Sequence, residues 1–269
     1  MATFYDTHAH FHGSDFRADL PQVIERARAA GIARLVCVGI DQASSENALR
    51  LSEQYTDVYA VVGWHPNHAL EAPEDVRPAL RKLVAHPKVV GVGETGLDYY
   101  RLPGGKGGDG AEQAKFKQRQ IALFAQQLEV AAEAGLNCVV HQRGEVLEDS
   151  LACLRPYLGR LRPVFHCFAD DLPALERILE IGGLVSFTGI LTFKNSQNMR
   201  QALAAAPADR FMLETDCPYL APVPYRGKRC EPAYLVETAA AAAQVRGCSL
   251  EALSAATCAT ANAFFKKLA

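Results

Sequence analysis

Two histidines near the start of the sequence are spaced so that both can reach one metal ion. His8 and His10 lie in the segment Asp6-Thr-His-Ala-His10, directly after a short apolar run. Side chains alternate between the two faces of an extended segment, so residues two apart point the same way. Two surface histidines would give the same spacing, so the pair alone is a weak signal. It indicates a metal site if further ligands converge on it.

Further imidazoles and carboxylates follow apolar runs of the same kind elsewhere in the chain. Each lies just past the carboxyl end of a short predicted strand, and in a barrel of parallel strands these ends converge on one mouth. Four histidines and two carboxylates at five such ends are hard to obtain by chance. We therefore predict a metal site at the mouth of a barrel. Its predicted ligands are His8, His10, Glu94, His141, His166 and Asp216.

The size of this ligand set favours two metal ions over one. A single tetrahedral zinc needs only four ligands. A carboxylate can bridge two ions, and Glu94, after the fourth strand, is placed to do so. Mixed imidazole and carboxylate ligands suit zinc, manganese, nickel or iron, and magnesium fits an oxygen-rich position. The predicted cofactors are two divalent metal ions, with zinc, magnesium and manganese as the candidates.

The predicted chemistry is hydrolysis by an activated water. Two ions ~3.5–4 Å apart can hold an attacking hydroxide and a leaving oxygen, and they lower the pKa of bound water. Asp216 is positioned to orient that water and to accept its proton. Asp216 and Glu94 are therefore the predicted catalytic residues.

Eight short runs rich in β-branched or aromatic residues are bounded by glycine, proline or polar residues, which is typical of buried parallel strands. They lie at residues 4–5, 34–39, 58–63, 88–93, 136–140, 162–165, 184–187 and 210–213. Helical patterns lie between them, including 19–31, 113–135 and 172–182, and the alanine-rich tail 234–268 is predicted to join an outer ring of helices. This alternation predicts a (β/α)8 TIM barrel, forming a single domain over residues 1–269. A doubly wound sheet is the alternative, but it usually has fewer strands and a glycine-rich first turn.

Composition and charge exclude several classes of protein. The net charge is −2, so no global positive field attracts nucleic acid, and binding of a polyanion needs local arginines or bound metal. The eight cysteines form no CxxC pair, which suits a reducing compartment. The sequence shows no signal peptide and no apolar stretch long enough to span a membrane. We expect a cytoplasmic protein without an obligate protein partner.

Several motifs run in order over essentially the whole chain, and together they resemble the TatD-type metal-dependent deoxyribonucleases, a family of amidohydrolase-like barrels. The motifs are Asp6-Thr-His-Ala-His10, Gly63-Trp-His-Pro66, Gly93-Glu-Thr-Gly-Leu-Asp-Tyr-Tyr100, Val140-His-Gln-Arg143, Phe165-His-Cys-Phe168, Leu213-Glu-Thr-Asp-Cys-Pro-Tyr-Leu-Ala-Pro222, Arg226-Gly-Lys-Arg229 and Thr260-Ala-Asn-Ala263. The resemblance implies a two-metal site with the same six ligands and Glu94 as the bridge. It also implies hydrolysis of phosphodiester bonds, with single-stranded or 3′-ended DNA as substrate, as in a 3′–5′ exonuclease.

A few positions depart from the pattern of that family. Cys230 stands where asparagine is common, and since asparagine can hold a turn, the order of the basic loop 226–229 is open. Trp64 replaces an aliphatic residue, Gln142 replaces a hydroxyl residue, and Ala169-Asp170 replaces a hydroxyl–glycine pair. The glycine-rich segment 102–110 predicts a mobile loop, either a plain connector or a flap that contacts substrate.

Four residues near the predicted mouth are candidate substrate contacts: His65, Arg101, Arg143 and Arg226. Arginine suits bidentate contact with phosphate, although each could equally be a solvated loop charge. His65 could instead hydrogen-bond behind a metal ligand. Asp98 and Glu214 could orient ligands or bind loop amides. His12, His68 and His86 are predicted to be surface or loop residues.

Two other functions stay open beside that of a metal-dependent nuclease. One is an amide or ester hydrolase of the same barrel class, such as a D-aminoacyl-tRNA deacylase. Many such barrels use a carbamylated lysine as the bridge, and Glu94 at that position counts against this alternative. The other is a non-catalytic barrel that keeps its metal for stability, and the presence of all six ligands counts against it.

Overall fold

Eight parallel strands lie side by side in the order in which they occur in the chain. The computed structural model of the protein describes residues 2–105 and 108–268. The strands are β1 (Phe4–Ala9), β2 (Ile32–Val38), β3 (Val58–Val62), β4 (Val89–Asp98), β5 (Asn137–Arg143), β6 (Pro163–Phe165), β7 (Leu184–Phe187) and β8 (Phe211–Leu213). The α-helices are α1 (Leu20–Ala29), α2 (Gln42–Gln54), α3 (Arg77–Val84), α4 (Gly110–Ala134), α5 (Leu147–Leu154), α6 (Leu172–Glu180), α7 (Gln197–Ala205), α8 (Leu235–Arg246) and α9 (Leu250–Phe264). This order confirms the predicted (β/α)8 barrel.

The sheet closes through the segment that follows β8. Ala9 and Cys217 form a parallel bridge, and the His10 N–H donates to the Cys217 carbonyl at 2.8 Å. Behind this bridge the buried Asp6 carboxylate accepts hydrogen bonds from the Thr215 N–H at 2.9 Å and from the Thr215 hydroxyl at 2.6 Å. The seam between the first and last strands is therefore fixed by polar contacts beside the predicted metal site.

Strand residues alternate between two apolar layers, as expected for side chains that point to opposite faces of a sheet. One layer lies between strands and helices, and the other fills the barrel interior with residues such as Val36, Val61 and Val139. β-Branched side chains suit these positions because they pack well on a pleated surface. Burying one such side chain stabilises the fold by about 1.5–3 kcal/mol.

The C-terminal tail is helical as predicted, but only part of it belongs to the outer ring of helices. It forms two helices, α8 and α9, because Gly247 ends α8 in the left-handed conformation with φ of 61°. Just past α9, Phe265 and Leu268 pack against the interior layer of the barrel, and so does Phe264 at its end. The tail thus covers part of the barrel interior as well as part of its outer surface.

Three strands reach further than their apolar runs. β1 continues to Ala9, so His8 lies on the strand itself. β4 and β5 stay paired as far as Asp98 and Arg143, so Glu94 and His141 lie on strands instead of just beyond them. In the glycine-rich segment 102–110, residues 106 and 107 lie outside the described residues, and Asp109 caps α4 by accepting a hydrogen bond from the Ala111 N–H. No helix in the described part of the chain is long and apolar enough to cross a membrane.

Candidate metal centre

The carboxyl ends of five strands bring the predicted ligands together. β1 and the residue after it carry His8 and His10, β4 carries Glu94 and β5 carries His141. His166 directly follows β6, and Asp216 lies three residues after β8. All of them are buried except His141 and Asp216, which are partly exposed. The barrel therefore gathers the six residues at one mouth, as the sequence predicts.

The two carboxylate oxygens of Glu94 face different sets of imidazoles. Oε2 lies 3.5 Å from Nε2 of His8 and 3.5 Å from Nε2 of His10. Oε1 lies 2.7 Å from Nδ1 of His141 and 2.7 Å from Nε2 of His166. One carboxylate thus stands between two groups of ligands, which is the arrangement that a bridging role requires. We call the group around Oε2 the first half of the centre and the group around Oε1 the second half.

The first half has the spacing of a tetrahedral metal site. Nε2 of His10 lies 3.2 Å from Nε2 of His8 and 3.3 Å from Oδ1 of Asp216. Metal–nitrogen bonds of ~2.0–2.1 Å place tetrahedral ligand atoms about 3.3 Å apart. Nδ1 of His10 lies 2.9 Å from the Val38 carbonyl, which holds the proton of a neutral ring on Nδ1. The Nε2 lone pair of His10 therefore points into the centre, and the residues of this half fit a divalent ion.

Carboxylates stand behind both imidazoles of the second half. Asp98 Oδ2 lies 3.4 Å from Nε2 of His141, and Glu214 Oε1 lies 3.5 Å from Nδ1 of His166. A carboxylate at the outer nitrogen of an imidazole favours the tautomer whose inner nitrogen is free to bind metal. Glu214 also accepts a hydrogen bond from the Cys167 N–H, and Asp98 accepts two from the loop that follows it. Each carboxylate thus stands behind a predicted ligand and also binds backbone amides, which are the two roles that the sequence left open.

His65 turns the protonated nitrogen of its neutral ring towards the second half, whereas the predicted ligands turn their unprotonated nitrogens towards it. Its Nδ1 accepts a hydrogen bond from the Asn67 N–H at 3.0 Å, so a neutral ring carries its proton on Nε2. That Nε2 lies 3.3 Å from Oε1 of Glu94. Burial lowers the pKa of His65 to about 4, which keeps the ring neutral near pH 7. His65 therefore presents a hydrogen-bond donor to the centre, although its position alone would also suit a metal ligand.

Glycines allow the close contact between β4 and β5 that places Glu94 beside His141. A Cβ atom at Gly93, where φ is +144°, would lie 2.4 Å from the Val139 carbonyl oxygen. At Gly96, where φ is +131°, it would lie 2.2 Å from the His141 carbonyl oxygen. Only glycine fits such positions without moving the backbone.

Two buried glutamines on α4 hold the backbone on either side of the centre, and the sequence analysis missed them. Gln127 accepts from the Trp64 N–H and donates to the Trp64 carbonyl, both at 2.8 Å. Gln120 does the same for Asp98, at 2.9 and 3.1 Å. Their spacing of two helical turns puts both on one face of α4, and this spacing is the signal that could have revealed them.

Charge balance keeps the central carboxylate ionised. Burial raises the pKa of Glu94, but the neighbouring imidazoles, His166 first among them, outweigh it and hold the pKa well below its usual value. Burial, together with the charge of Asp216, raises the pKa of the Cys167 thiol well above its usual value. A neutral thiol is a poor nucleophile, so the carboxylates and imidazoles are left as the chemically active groups.

A cavity of about 620 Å³ opens over the centre and contains most of the predicted substrate contacts. His65, Arg101 and Arg143 line it. Arg226 does not line it, and its guanidinium instead lies over the Phe193 ring at 3.6 Å from the centroid. His12 and His68, predicted to be surface or loop residues, are partly exposed in the segments after β1 and β3, and both also line the cavity.

The basic loop next to Cys230 is ordered without an asparagine. The Cys230 N–H donates to the Pro218 carbonyl at 2.9 Å, and its side chain is fully buried. Arg229 binds the Asp19 carboxylate through both terminal nitrogens, at 2.8 and 2.7 Å. Arg226, Lys228 and Arg229 are not among the residues that line the cavity.

The family assignment agrees with this geometry. A family model described as TatD related DNase matches residues 5–266 of the chain. The chain belongs to the TatD family. Membership confirms the resemblance seen in the motifs, and it identifies the chain as a TatD metal-dependent hydrolase.

Relatives in the TatD family match nearly the full length of the chain. A metal-dependent hydrolase of Bacillus subtilis (strain 168), YabD, is 33% identical over 97% of this chain and 98% of its own. A protein of Erwinia tasmaniensis named 3′-5′ ssDNA/RNA exonuclease TatD is 33% identical over 97% of this chain and 99% of its own. The crystal structure of YjjV, a TatD homologue from Escherichia coli K12, superposes with a TM-score of 0.86 and 26% identity, covering 98% of both chains.

Proposed function

We propose that this chain is a 3′–5′ exonuclease that hydrolyses phosphodiester bonds of single-stranded or 3′-ended DNA. The observation that carries the proposal is the divided carboxylate of Glu94, whose two oxygens face separate sets of imidazoles. Paired divalent ions suit in-line displacement at phosphorus. The Erwinia relative named as an ssDNA/RNA exonuclease supports the same class of substrate.

Each half of the centre would hold one divalent ion, with Glu94 shared between them. His8, His10 and Asp216 would complete the first half, and His141 and His166 would complete the second. Bound ions would supply electrophilic polarisation of the phosphodiester and would acidify the attacking water. Zinc, manganese and magnesium are the candidate ions.

Asp216 is the group that would take the proton of the attacking water. Its side chain is 14% exposed towards the cavity, whereas that of Glu94 is 4% exposed. Burial raises the pKa of Asp216, but the neighbouring imidazoles of His10 and His8 outweigh it and bring the net pKa below its usual value, so the carboxylate is ionised and can accept a proton. His65 would donate its Nε2 proton in a hydrogen bond to a phosphate oxygen. Arg101 and Arg143, both exposed at the rim of the cavity, would bind neighbouring phosphates.

The test is to incubate the metal-loaded protein with a 5′-labelled single-stranded oligonucleotide, the matching duplex and a D-aminoacyl-tRNA. We expect a ladder that shortens from the 3′ end, faster on the single strand, and no products after chelation. Comparison of zinc, manganese and magnesium would identify the ions that support turnover. Release of the amino acid from the tRNA without loss of nucleotides would instead identify an ester hydrolase and would overturn the proposal.

A further inference from the structure

The mouth of the cavity has two chemically different sides. Arg101 and Arg143 lie beyond β4 and at the end of β5, and both carry charge. The opposite side is formed by Ile190 after β7 and by residues 218–220 after β8. Because β4 and β8 are four strands apart, they lie across from each other in an eight-stranded barrel, so the centre lies between a cationic side that begins at Arg101 and an apolar side after β8. We call the apolar side, formed by Ile190, Pro218, Tyr219 and Leu220, the apolar wall.

Tyr219 carries the largest side chain of the apolar wall and lies beside the first half. Its N–H donates to the Asp216 carbonyl at 3.0 Å, which closes a turn from the predicted ligand to the tyrosine. Its ring contacts the His10 ring edge to face, with centroids 6.3 Å apart, and its side chain is still 61% exposed. The turn therefore presents an aromatic ring to the cavity with much of its surface uncovered.

Exposed aromatic residues are confined to this mouth. Among the described residues, Tyr100 and Tyr219 are the aromatic side chains that are largely exposed, and each follows a strand that delivers a predicted ligand. Tyr100 already lies against the Arg143 guanidinium, at 4.9 Å from its ring centroid. Tyr219 has no cation over its ring among the described residues. A face of the Tyr219 ring is thus open to an uncharged planar group.

We propose that the apolar wall is a nucleobase subsite in which Tyr219 stacks on the base of the terminal nucleotide while its phosphate lies at the centre. The inference rests on the proposed function and names the part of the substrate that the arginines do not bind. Stacking on an aromatic ring accepts every base, because every base has a π face. The wall offers few side-chain hydrogen-bonding groups to read a base edge, so the subsite would select an unstacked strand end and not a sequence. In a duplex the base faces are covered by neighbouring bases, so such an end must first be frayed.

The experiment compares two oligonucleotides that differ only in whether the 3′-terminal nucleotide carries a base. One ends in a normal nucleotide, and the other ends in an abasic tetrahydrofuran nucleotide with the same phosphates. We expect the wild-type protein to prefer the normal end by about 10- to 100-fold in kcat/KM, as base–aromatic stacking predicts. Tyr219→Ala should reduce this preference to less than about 3-fold, whereas Tyr219→Phe, which retains the ring, should keep it. Ile121→Ala, an exposed apolar position on α4 outside the cavity, serves as the control and should keep it as well.

A preference that survives in Tyr219→Ala would overturn the subsite, and so would an equal loss of activity on both substrates. Binding of the same oligonucleotides to the chelator-treated protein, followed by fluorescence anisotropy, separates this result from a failure of the nuclease proposal. If neither oligonucleotide is cleaved but the normal end binds more tightly in a Tyr219-dependent way, the subsite stands and the nuclease proposal fails. If binding also shows no preference for the base, the subsite is wrong.

Discussion

The two halves of the candidate metal centre contain the same types of side chain, imidazoles and carboxylates, in different arrangements. In the first half the carboxylate of Asp216 faces the centre directly, and His10 is held by a backbone carbonyl. In the second half the additional carboxylates, Asp98 and Glu214, stand behind the imidazoles. The first half therefore offers one more anionic oxygen to an ion, and the second half offers more basic imidazoles. We expect metal affinity in the first half to depend on the ligands themselves. In the second half it should also depend on carboxylates that do not contact the ion.

The largest effect should come from breaking the element that both halves share. Glu94→Gln removes the charge of the proposed bridge while keeping its shape, so both proposed ions should bind poorly. We expect hydrolysis of a phosphodiester to fall by at least about 1,000-fold. Elemental analysis should find less than one metal ion per chain. Glu214→Gln is the matched control, since it removes another buried carboxylate that stands behind a single imidazole. Retention of two tightly bound ions in Glu94→Gln would contradict the shared bridge.

A change at His65 tests whether the second half contains a donor or a third imidazole ligand. His65→Gln removes the imidazole but leaves an N–H donor, and His65→Ala removes both. As a donor, His65 should leave the metal content unchanged, and His65→Ala should lower kcat/KM by about 10- to 100-fold, the scale of one hydrogen bond to a charged group. The glutamine variant should recover part of this loss. If either variant loses an ion, His65 is a ligand and the tautomer argument is wrong.

Removing a supporting carboxylate should weaken the second half alone. Asp98→Asn takes the charge from behind His141, and changes of this kind weaken metal affinity by about 10- to 100-fold. Titration with a chelator should therefore release one ion earlier than in the wild-type protein and leave the other unchanged. Asp75→Asn, at an exposed carboxylate before α3, provides the control. If Asp98→Asn weakened the binding of both ions equally, the two halves would not bind their ions independently.

The smallest effect should be seen at the rim of the cavity. Arg143→Ala should raise KM for DNA by about 3- to 10-fold at low salt, with a smaller effect at high salt because phosphate contacts release counterions. Arg226→Ala is the natural control, since Arg226 lies on Phe193 outside the cavity. The comparison of the two variants across salt concentrations checks both statements. An Arg143 effect that does not change with salt would argue against phosphate contact.

The fold was predictable because its strands are buried on both faces. Runs such as 58–63 and 184–187 consist of apolar side chains with strong strand preference, and the observed strands match them within a residue or two. The second part of β4 was missed because Thr95, Gly96 and Asp98 do not resemble a buried strand. That part is held by pairing with β5, a long-range contact that the local sequence pattern cannot predict.

In the candidate site, too, features set by local sequence could be predicted, and features set by tertiary contacts could not. The six predicted ligands were grouped by their place after strand-like runs, and the structure brings their side chains together at one mouth. The proton on Nε2 of His65 depends on one backbone N–H in the next turn, so the sequence left its role open. Gln120 and Gln127 occupy a helix on which glutamine is ordinary, and their contacts become visible only when α4 is packed on the barrel. Arg226 lies over Phe193 and does not line the cavity, because the direction of a loop side chain is set by the packing around it.

The seam at Asp6 and Thr215 links the assembly of the centre to the completion of the barrel. The two residues are 209 positions apart, and Asp216 follows directly after the second of them. A chain growing on the ribosome would hold five of the six predicted ligands long before the last strand emerges. A nascent or truncated chain would therefore lack an intact first half, and hydrolysis would begin only once the final strand has joined the first.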